Sequence, residues 1–245
     1  MQERSGAGRA ATGKVAVITG GSQGIGAGLV AGYRRQGWAV VASARTIKPS
    51  EDPDLLTVAG DITESGTADR IIDAALSRFG RIDTLVNNAG VYISKPFTDY
   101  TAEDYAQIVG VNLTGFFWLT QRAVAEMATR YGGHVVNISA TIAEVADSGT
   151  PAVLTALTKG GLAAATRSLA VEYASRGIRV NAVSPGVIQT PMHPPESYDH
   201  LGGQRPPLGR PGQVSDVVDG VLFLESSPYI TGEILHIDGG QSAGH

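Results

Sequence analysis

The chain has 245 residues, of which 42% are hydrophobic, and this length and composition suit one α/β domain with a sizeable core. Its formal net charge of −4 argues against a nucleic-acid or anionic-membrane partner. The chain contains no cysteine, which excludes a disulfide, a thiolate metal site and a cysteine nucleophile, and we predict no metal site. No apolar run approaches the length of a membrane span, so we expect a soluble cytoplasmic protein.

The beginning of the chain differs in character from the rest. Residues 1–12 are polar and lack the apolar core of a signal peptide. We predict that they form a flexible extension and that residues 13–245 form a single domain.

Short β-rich runs alternate with helical segments along this domain. Strands are predicted at 15–19, 39–43, 55–60, 84–90, 134–139, 178–186 and 233–240, and helices at 24–36, 65–79, 101–130, 153–175 and 213–225. The strands are continuous apolar runs, which is typical of a sheet that is covered on both faces. This alternation predicts an α/β fold with a doubly wound parallel sheet.

Two connections have unusual compositions. The segment between the second and third strands is short and contains two prolines, so a full crossover helix barely fits there. Residues 189–212 contain six prolines and four glycines, which predicts a long loop. Loops of this length inside a domain are usually functional.

A glycine-rich loop follows the first strand. The sequence TGGSQGIG, residues 19–26, opens the first predicted helix. A helix N-terminus presents free N–H groups and partial positive charge, which suit a pyrophosphate. Gly20, Gly24 and Gly26 allow the backbone to turn and to approach such a ligand closely. A glycine-rich turn without a ligand is the less favoured alternative.

Together with three later motifs, this loop resembles the short-chain dehydrogenase/reductase family. The motifs are Asn87-Asn88-Ala89-Gly90 after the fourth strand, Asn112 in VNLTG, and Pro185-Gly186 after the sixth strand. The resemblance runs from about residue 13 to the C-terminus, in the family's order and spacing. It implies a Rossmann-type sheet, a nicotinamide cofactor, a small-molecule substrate and a homotetramer.

The choice between the two nicotinamide cofactors depends on the end of the second strand. An acidic residue there would bind the ribose 2′-OH of NAD, but this chain has Ser43-Ala44-Arg45. An arginine fork pairs well with a phosphate, which favours NADP(H) with Ser43 and Arg45 as contacts. A solvated surface arginine and NAD(H) remain the alternative, and Gln23 stands where many NADP-preferring relatives have a basic residue.

The resemblance also implies the remaining cofactor contacts. Asp61 and Ile62 would lie at the adenine edge, and Ile188 and Thr190 would approach the nicotinamide amide. The full set of predicted cofactor-binding residues is Gly20, Ser22, Gln23, Gly24, Ile25, Gly26, Ser43, Arg45, Asp61, Ile62, Asn88, Ala89, Gly90, Lys159, Pro185, Gly186, Ile188 and Thr190. The long loop at about 189–212 would form the substrate lid.

The predicted reacting centre lacks one expected residue. Family members use an asparagine, a serine, a tyrosine and a lysine four residues after the tyrosine. Here the asparagine is Asn112, the lysine is Lys159 and the serine corresponds to Ser139, although the family often uses the next position, which is Ala140. Thr155 stands where the tyrosine is expected, and no lysine in the chain follows a tyrosine at this spacing.

The missing tyrosine leaves three hypotheses. The first is an oxidoreductase with another proton donor, for which Tyr92, His193, Tyr198 and His200 are candidates. The second is a protein that binds or senses NADP(H) without turnover. The third is an isomerase or dehydratase in which Ser139 and Lys159 polarise a substrate oxygen. The retained Asn112 and Lys159 favour the first hypothesis.

Overall fold

Seven parallel strands form one sheet at the centre of the computed structural model, which describes residues 13–130, 132–192 and 206–244. The strands are β1 (Val15–Thr19), β2 (Ala39–Ala44), β3 (Leu55–Ala59), β4 (Thr84–Asn87), β5 (Gly133–Ile138), β6 (Ile178–Pro185) and β7 (Ile234–Ile237). Their order is β3-β2-β1-β4-β5-β6-β7, and every neighbouring pair is parallel. The predicted doubly wound parallel sheet is confirmed.

Helices cover both faces of this sheet. They are α1 (Gly24–Arg35), α2 (Thr67–Phe79), α3 (Ala102–Val109), α4 (Gly115–Thr129), α5 (Val153–Tyr173) and α6 (Val214–Ser226). Side chains of α2, α4 and α5 share one buried apolar cluster with one face of the strands, and those of α1 and α6 share a second with the other face. This double cover explains why β1 is buried at every position and reads as a continuous apolar run.

The chain order of the sheet reverses beside β1, because β2 and β4 flank it on opposite sides. In open parallel sheets, such a reversal leaves a crevice at the carboxyl ends of the two diverging strands. As expected from its prolines, the connection between β2 and β3 contains no helix. No helix in the described segments is long and apolar enough to cross a bilayer.

The helix predicted at 101–130 is interrupted. A π-helical turn, Gly110–Thr114, separates α3 from α4. The turn carries the buried side chain of Asn112, which donates hydrogen bonds to Val91 O (3.1 Å) and Thr158 Oγ1 (3.1 Å) and accepts one from Val91 N (2.9 Å). A wider turn of this kind re-aims a side chain without ending the helix, and the apolar periodicity of the sequence does not reveal it.

Several sequence predictions lie outside the described residues. These are the extension at residues 1–12 and the part of the predicted lid loop at 193–205. The candidate proton donors His193, Tyr198 and His200 belong to that part of the loop.

A buried histidine lies at the amino ends of the central strands. The Nδ1–H of His134 faces Glu225 Oε2 (3.0 Å), and Nε2 accepts from Asn181 Nδ2 (3.0 Å) and Arg179 Nη1 (3.4 Å). A proton on Nε2 would point at two donors, so the ring is held neutral. Burial lowers the pKa of His134 below its usual value of 6.5.

We expect the free energy of unfolding to fall in mild acid because of His134. Below about pH 6.5 the unfolded state takes up a proton that the folded state refuses, so stability is complete above this pH and declines below it. Urea unfolding at pH 7 and pH 5.5 should give a difference of about 1 kcal/mol. His134→Gln should reduce the difference in unfolding free energy between pH 7 and pH 5.5. An unchanged difference in this variant would mean that other groups cause the pH dependence.

Candidate active site

The glycine loop is locked to the segment that follows β4. Gly20 and Gly24 have φ values of +64° and +54°, in the left-handed region that favours glycine. Asn88 Nδ2 donates to Thr19 O (2.9 Å) and to Gly20 O (3.3 Å), and Thr19 Oγ1 accepts from the backbone N–H groups of Asn88 (3.0 Å) and Ala89 (2.9 Å). The TGG and NNAG motifs therefore form one structural unit across the carboxyl ends of β1 and β4.

The N-terminus of α1 is open toward this unit. The first turn contains no acidic residue, and the side chain of Gln23 does not cap the helix. Gly26 packs so closely under the loop that a Cβ at its position would lie 2.1 Å from Gly20 O. The free N–H groups and the partial positive charge of the helix are thereby presented to any anion that enters the crevice.

A cavity of about 490 Å³ extends along the carboxyl ends of the strands from β2 to β6. Its lining residues are Thr19, Gly20, Ser22, Gln23, Gly24, Ile25, Gly26, Ser43, Ala44, Arg45, Thr46, Gly60, Asp61, Ile62, Asn88, Ala89, Gly90, Val91, Tyr92, Val111, Ile138, Ser139, Ala140, Thr155, Lys159, Pro185, Gly186, Ile188, Thr190, Pro191 and Met192. Among the predicted catalytic and cofactor-binding residues, only Asn112 does not line this cavity, while the candidate donors His193, Tyr198 and His200 lie outside the described residues.

Asn112 lies behind the cavity wall. It is 1% exposed, and its Oδ1 atom lies 3.5 Å from the position that a Cβ on Gly90 would occupy. Its amide is used in the bonds to Val91 and Thr158 described above. Asn112 therefore positions the NNAG segment against α5 instead of facing the cavity itself.

One end of the cavity lies beside β2 and β3. Ser43 is buried at the end of β2, whereas Arg45 is exposed beyond it. The Asp61 carboxylate accepts hydrogen bonds from Thr63 N (2.9 Å) and Thr63 Oγ1 (2.8 Å). These bonds lower the pKa of Asp61, and the Arg45 charge adds to the effect. Thr46 and Gly60 also line this end, and no sequence motif marks them.

The other end contains Lys159. Its ammonium is buried and donates to Ile138 O at 2.6 Å. Burial lowers the pKa of Lys159 to about 8. A Cβ on Gly90 would lie only 3.1 Å from Lys159 Nζ. The absence of a side chain on Gly90 therefore provides the space in which the lysine ammonium lies.

The hydroxyl groups beside Lys159 are placed differently from one another. Ser139 Oγ donates to the carbonyl oxygen of Lys159 at 3.2 Å, and the next residue along the cavity wall is Ala140, which carries no hydroxyl. Thr155 is 2% exposed, and its Oγ1 atom has no hydrogen-bond partner among the described residues. Ser139 is thus engaged in a structural bond, whereas the Thr155 hydroxyl has no such bond to the described residues.

Tyr92 is the phenol that lines the cavity wall after β4. Its pKa is raised by burial, and the nearby Tyr100 and Asp147 act in the same direction, while a hydrogen bond with Ser94 opposes them. A phenol with a raised pKa is a weaker acid than usual, which disfavours Tyr92 as the proton donor.

A parallel doubly wound sheet with a ligand cavity at its reversal point defines the Rossmann class of α/β proteins. The family model described as enoyl-(acyl carrier protein) reductase matches residues 20–242. The chain belongs to the short-chain dehydrogenase/reductase family of oxidoreductases.

Individual relatives agree with this membership. The 3-oxoacyl-[acyl-carrier-protein] reductase of Thermotoga maritima is 35% identical, with 93% of this chain and 97% of the relative covered. Among solved structures, ElxO with NADP bound is 29% identical and covers 94% of this chain and 99% of its own, with a TM-score of 0.85. The 3-ketoacyl-(acyl-carrier-protein) reductase of Brucella melitensis, complexed with NADH, is 30% identical and covers 94% and 98%, with a TM-score of 0.84.

Proposed function

We propose that this protein is an NADP(H)-dependent oxidoreductase that interconverts a small carbonyl compound and its alcohol, with a proton donor other than tyrosine. The observation that carries the proposal is one continuous cavity, which connects the glycine loop and Arg45 at one end with Lys159 at the other. An open helix N-terminus, which suits a phosphate, and a buried cation therefore lie on one continuous surface.

The residues of the cavity fit a dinucleotide. The open N-terminus of α1 and the glycine loop would hold the pyrophosphate, because Gly26 leaves no side chain between the loop and the helix. Asn88 and Gly90 would line the central part, and Lys159 would hold the ribose next to the nicotinamide. When bound, the nicotinamide supplies or accepts the hydride of the reaction.

Arg45 supports NADP(H) over NAD(H) as the cofactor. Arg45 lines the cavity directly after β2, and the end of β2 itself, Ser43-Ala44, carries no carboxylate that would repel a 2′-phosphate. The relatives are consistent with either cofactor, since ElxO was solved with NADP and the Brucella reductase with NADH.

We expect Arg45→Ala to weaken NADPH binding by roughly 10- to 100-fold and to leave NADH binding nearly unchanged, because only NADPH carries the phosphate. Nicotinamide fluorescence titrations measure both affinities. Lys48→Ala is the matched control, because Lys48 is an exposed cation on the same connection and does not line the cavity. Equal losses for the two cofactors in Arg45→Ala would contradict the assignment.

Turnover is tested by NADPH oxidation with ethyl acetoacetate, a 3-oxo ester whose reacting group resembles that named for the Thermotoga and Brucella relatives. We expect slow but measurable reduction, since a missing general acid typically costs 10²- to 10⁴-fold in rate. Tight NADPH binding without any carbonyl reduction would favour a sensing protein. Product formation without net cofactor oxidation would favour an isomerase or dehydratase.

The homotetramer expected from the family resemblance stays a prediction. Phe117 and Trp118 on α4 and Leu157 on α5 each expose at least half of their surface, and this apolar area supports self-association. Light scattering of the purified protein would measure the assembly directly.

A further inference from the structure

Two side chains at the Lys159 end of the cavity have hydrogen-bond donors without an acceptor among the described residues. Thr155 Oγ1 is buried without a partner among the described residues. The ammonium of Lys159 has three donors, and the described residues provide it with one acceptor, Ile138 O. A hydroxyl of the nicotinamide ribose would accept from a second donor, which leaves one for a substrate oxygen. Thr155 and Lys159 are four residues apart on α5, so both side chains lie on the same face of the helix and line the same cavity.

The charge of Lys159 is not neutralised by any described side chain. None of the ion pairs in the described segments includes it; its ammonium donates to Ile138 O on β5 and lies beside Gly90 after β4. The other titratable groups of the cavity wall are Arg45 and Asp61, beyond β2 and β3, and Tyr92, after β4. A buried ammonium without a carboxylate is unfavourable unless a ligand brings negative charge to it.

We propose that Lys159 is itself the proton donor of this enzyme and that the Thr155 hydroxyl binds the same substrate oxygen. This inference rests on the proposed oxidoreductase function and identifies its proton donor.

The proton step balances with groups that are present. As the carbonyl carbon is reduced, the C=O π electrons move to the oxygen, which takes one proton from Lys159 Nζ and becomes the alcohol. Thr155 donates a hydrogen bond to the same oxygen as its negative charge develops. Lys159 is left as a neutral amine and recovers a proton from water. Burial, which lowers the pKa of Lys159 to about 8, makes the ammonium acidic enough for this role near neutral pH.

Two measurements on the wild-type protein test the assignment together. The ionisation of Lys159 is followed by lysine-selective ¹³C NMR, which is simple because the chain has only four lysines, and Lys159→Met assigns the signal. The pH dependence of kcat/KM is measured for ethyl acetoacetate reduction at saturating NADPH. We expect reduction to fall as pH rises through the measured midpoint of Lys159, near 8, and the reverse oxidation of ethyl 3-hydroxybutyrate to rise through it.

Variants separate this role from structural support of the cofactor site. Lys159→Met is expected to lower kcat by about 10²- to 10⁴-fold even when NADPH is saturating. Thr155→Val, which keeps the shape and removes the hydroxyl, is expected to lower kcat/KM by about 10-fold, and Thr155→Ser should lose several-fold less. Tyr92→Phe tests the competing phenol.

The outcomes distinguish this assignment from the proposed function. NADPH oxidation that is independent of the Lys159 ionisation, or that is lost in Tyr92→Phe, would overturn the Lys159 assignment alone. The Lys159 assignment would also be overturned if the wild type oxidised no NADPH while Thr155→Tyr did. The wild-type cavity would then bind NADPH and the carbonyl compound but lack a proton donor. If neither the wild type nor Thr155→Tyr oxidised NADPH, the proposed oxidoreductase function would be overturned as well.

Discussion

Replacing Gly26 with alanine is expected to weaken NADPH binding by roughly 10- to 100-fold. The new Cβ would lie 2.1 Å from Gly20 O and 2.6 Å from Asn88 Nδ2. Both neighbours are fixed, the first as backbone and the second by its hydrogen bonds to the glycine loop. The loop must therefore move away from the helix N-terminus, and overpacking of this kind costs about 1–3 kcal/mol.

Gly160→Ala is the matched control for this substitution. Gly160 is also a helical glycine, but the nearest atom to its added Cβ is Ala143 O at 4.0 Å, so there is room for the methyl group. Nicotinamide fluorescence titration measures both variants, and circular dichroism checks that both remain folded. Wild-type affinity in Gly26→Ala would mean that the loop does not hold the pyrophosphate.

The second large effect is expected on stability, at Glu225→Ala. The Glu225 carboxylate accepts hydrogen bonds from Tyr33 OH (3.0 Å), Thr84 Oγ1 (2.8 Å) and the His134 ring (3.0 Å). All three donors are buried, and they come from α1, β4 and β5. Removal of the carboxylate leaves them unpaired, and we expect the free energy of unfolding to fall by about 3–5 kcal/mol.

Urea unfolding at pH 7.5 measures this loss. Asp219→Ala is the control, because Asp219 is an acidic residue on the same helix that is exposed to solvent. It should change the free energy of unfolding by less than about 0.5 kcal/mol. Tyr33→Phe removes one of the three donors, so its cost should be close to 1 kcal/mol. A loss below 1 kcal/mol in Glu225→Ala would show that the network contributes little.

The position of the Glu225 network separates stability from chemistry in this fold. Thr84, His134 and Arg179 lie at the amino ends of β4, β5 and β6, whereas the cavity lies at the carboxyl ends of the strands. Variants at Glu225 should therefore alter unfolding without altering the affinity for NADPH in the folded protein. The same separation allows mild-acid stability and the pH dependence of catalysis to be measured independently.

The sheet and the cofactor end of the cavity could be predicted from the sequence because their signals are local. Continuous apolar runs indicate strands that are buried on both faces, and glycines directly after a strand indicate a close backbone approach. Parallel strands bring all of their carboxyl ends to one edge, so motifs such as TGGSQGIG and NNAG had to meet once the order of elements was known. The absence of a tyrosine four residues before any lysine is likewise a fact of the sequence alone.

Only the tertiary structure decided which side chains face the cavity and which partners they have. Asn112 lies behind Gly90 because a π-helical turn re-aims it, and apolar periodicity does not encode such a turn. In the described parts of the chain, Thr155 Oγ1 has no hydrogen-bond partner and Lys159 belongs to no ion pair. Glu225 meets His134 across 91 residues of sequence. A local pattern fixes which face of an element is buried, whereas pairings between distant elements depend on how those faces pack in three dimensions.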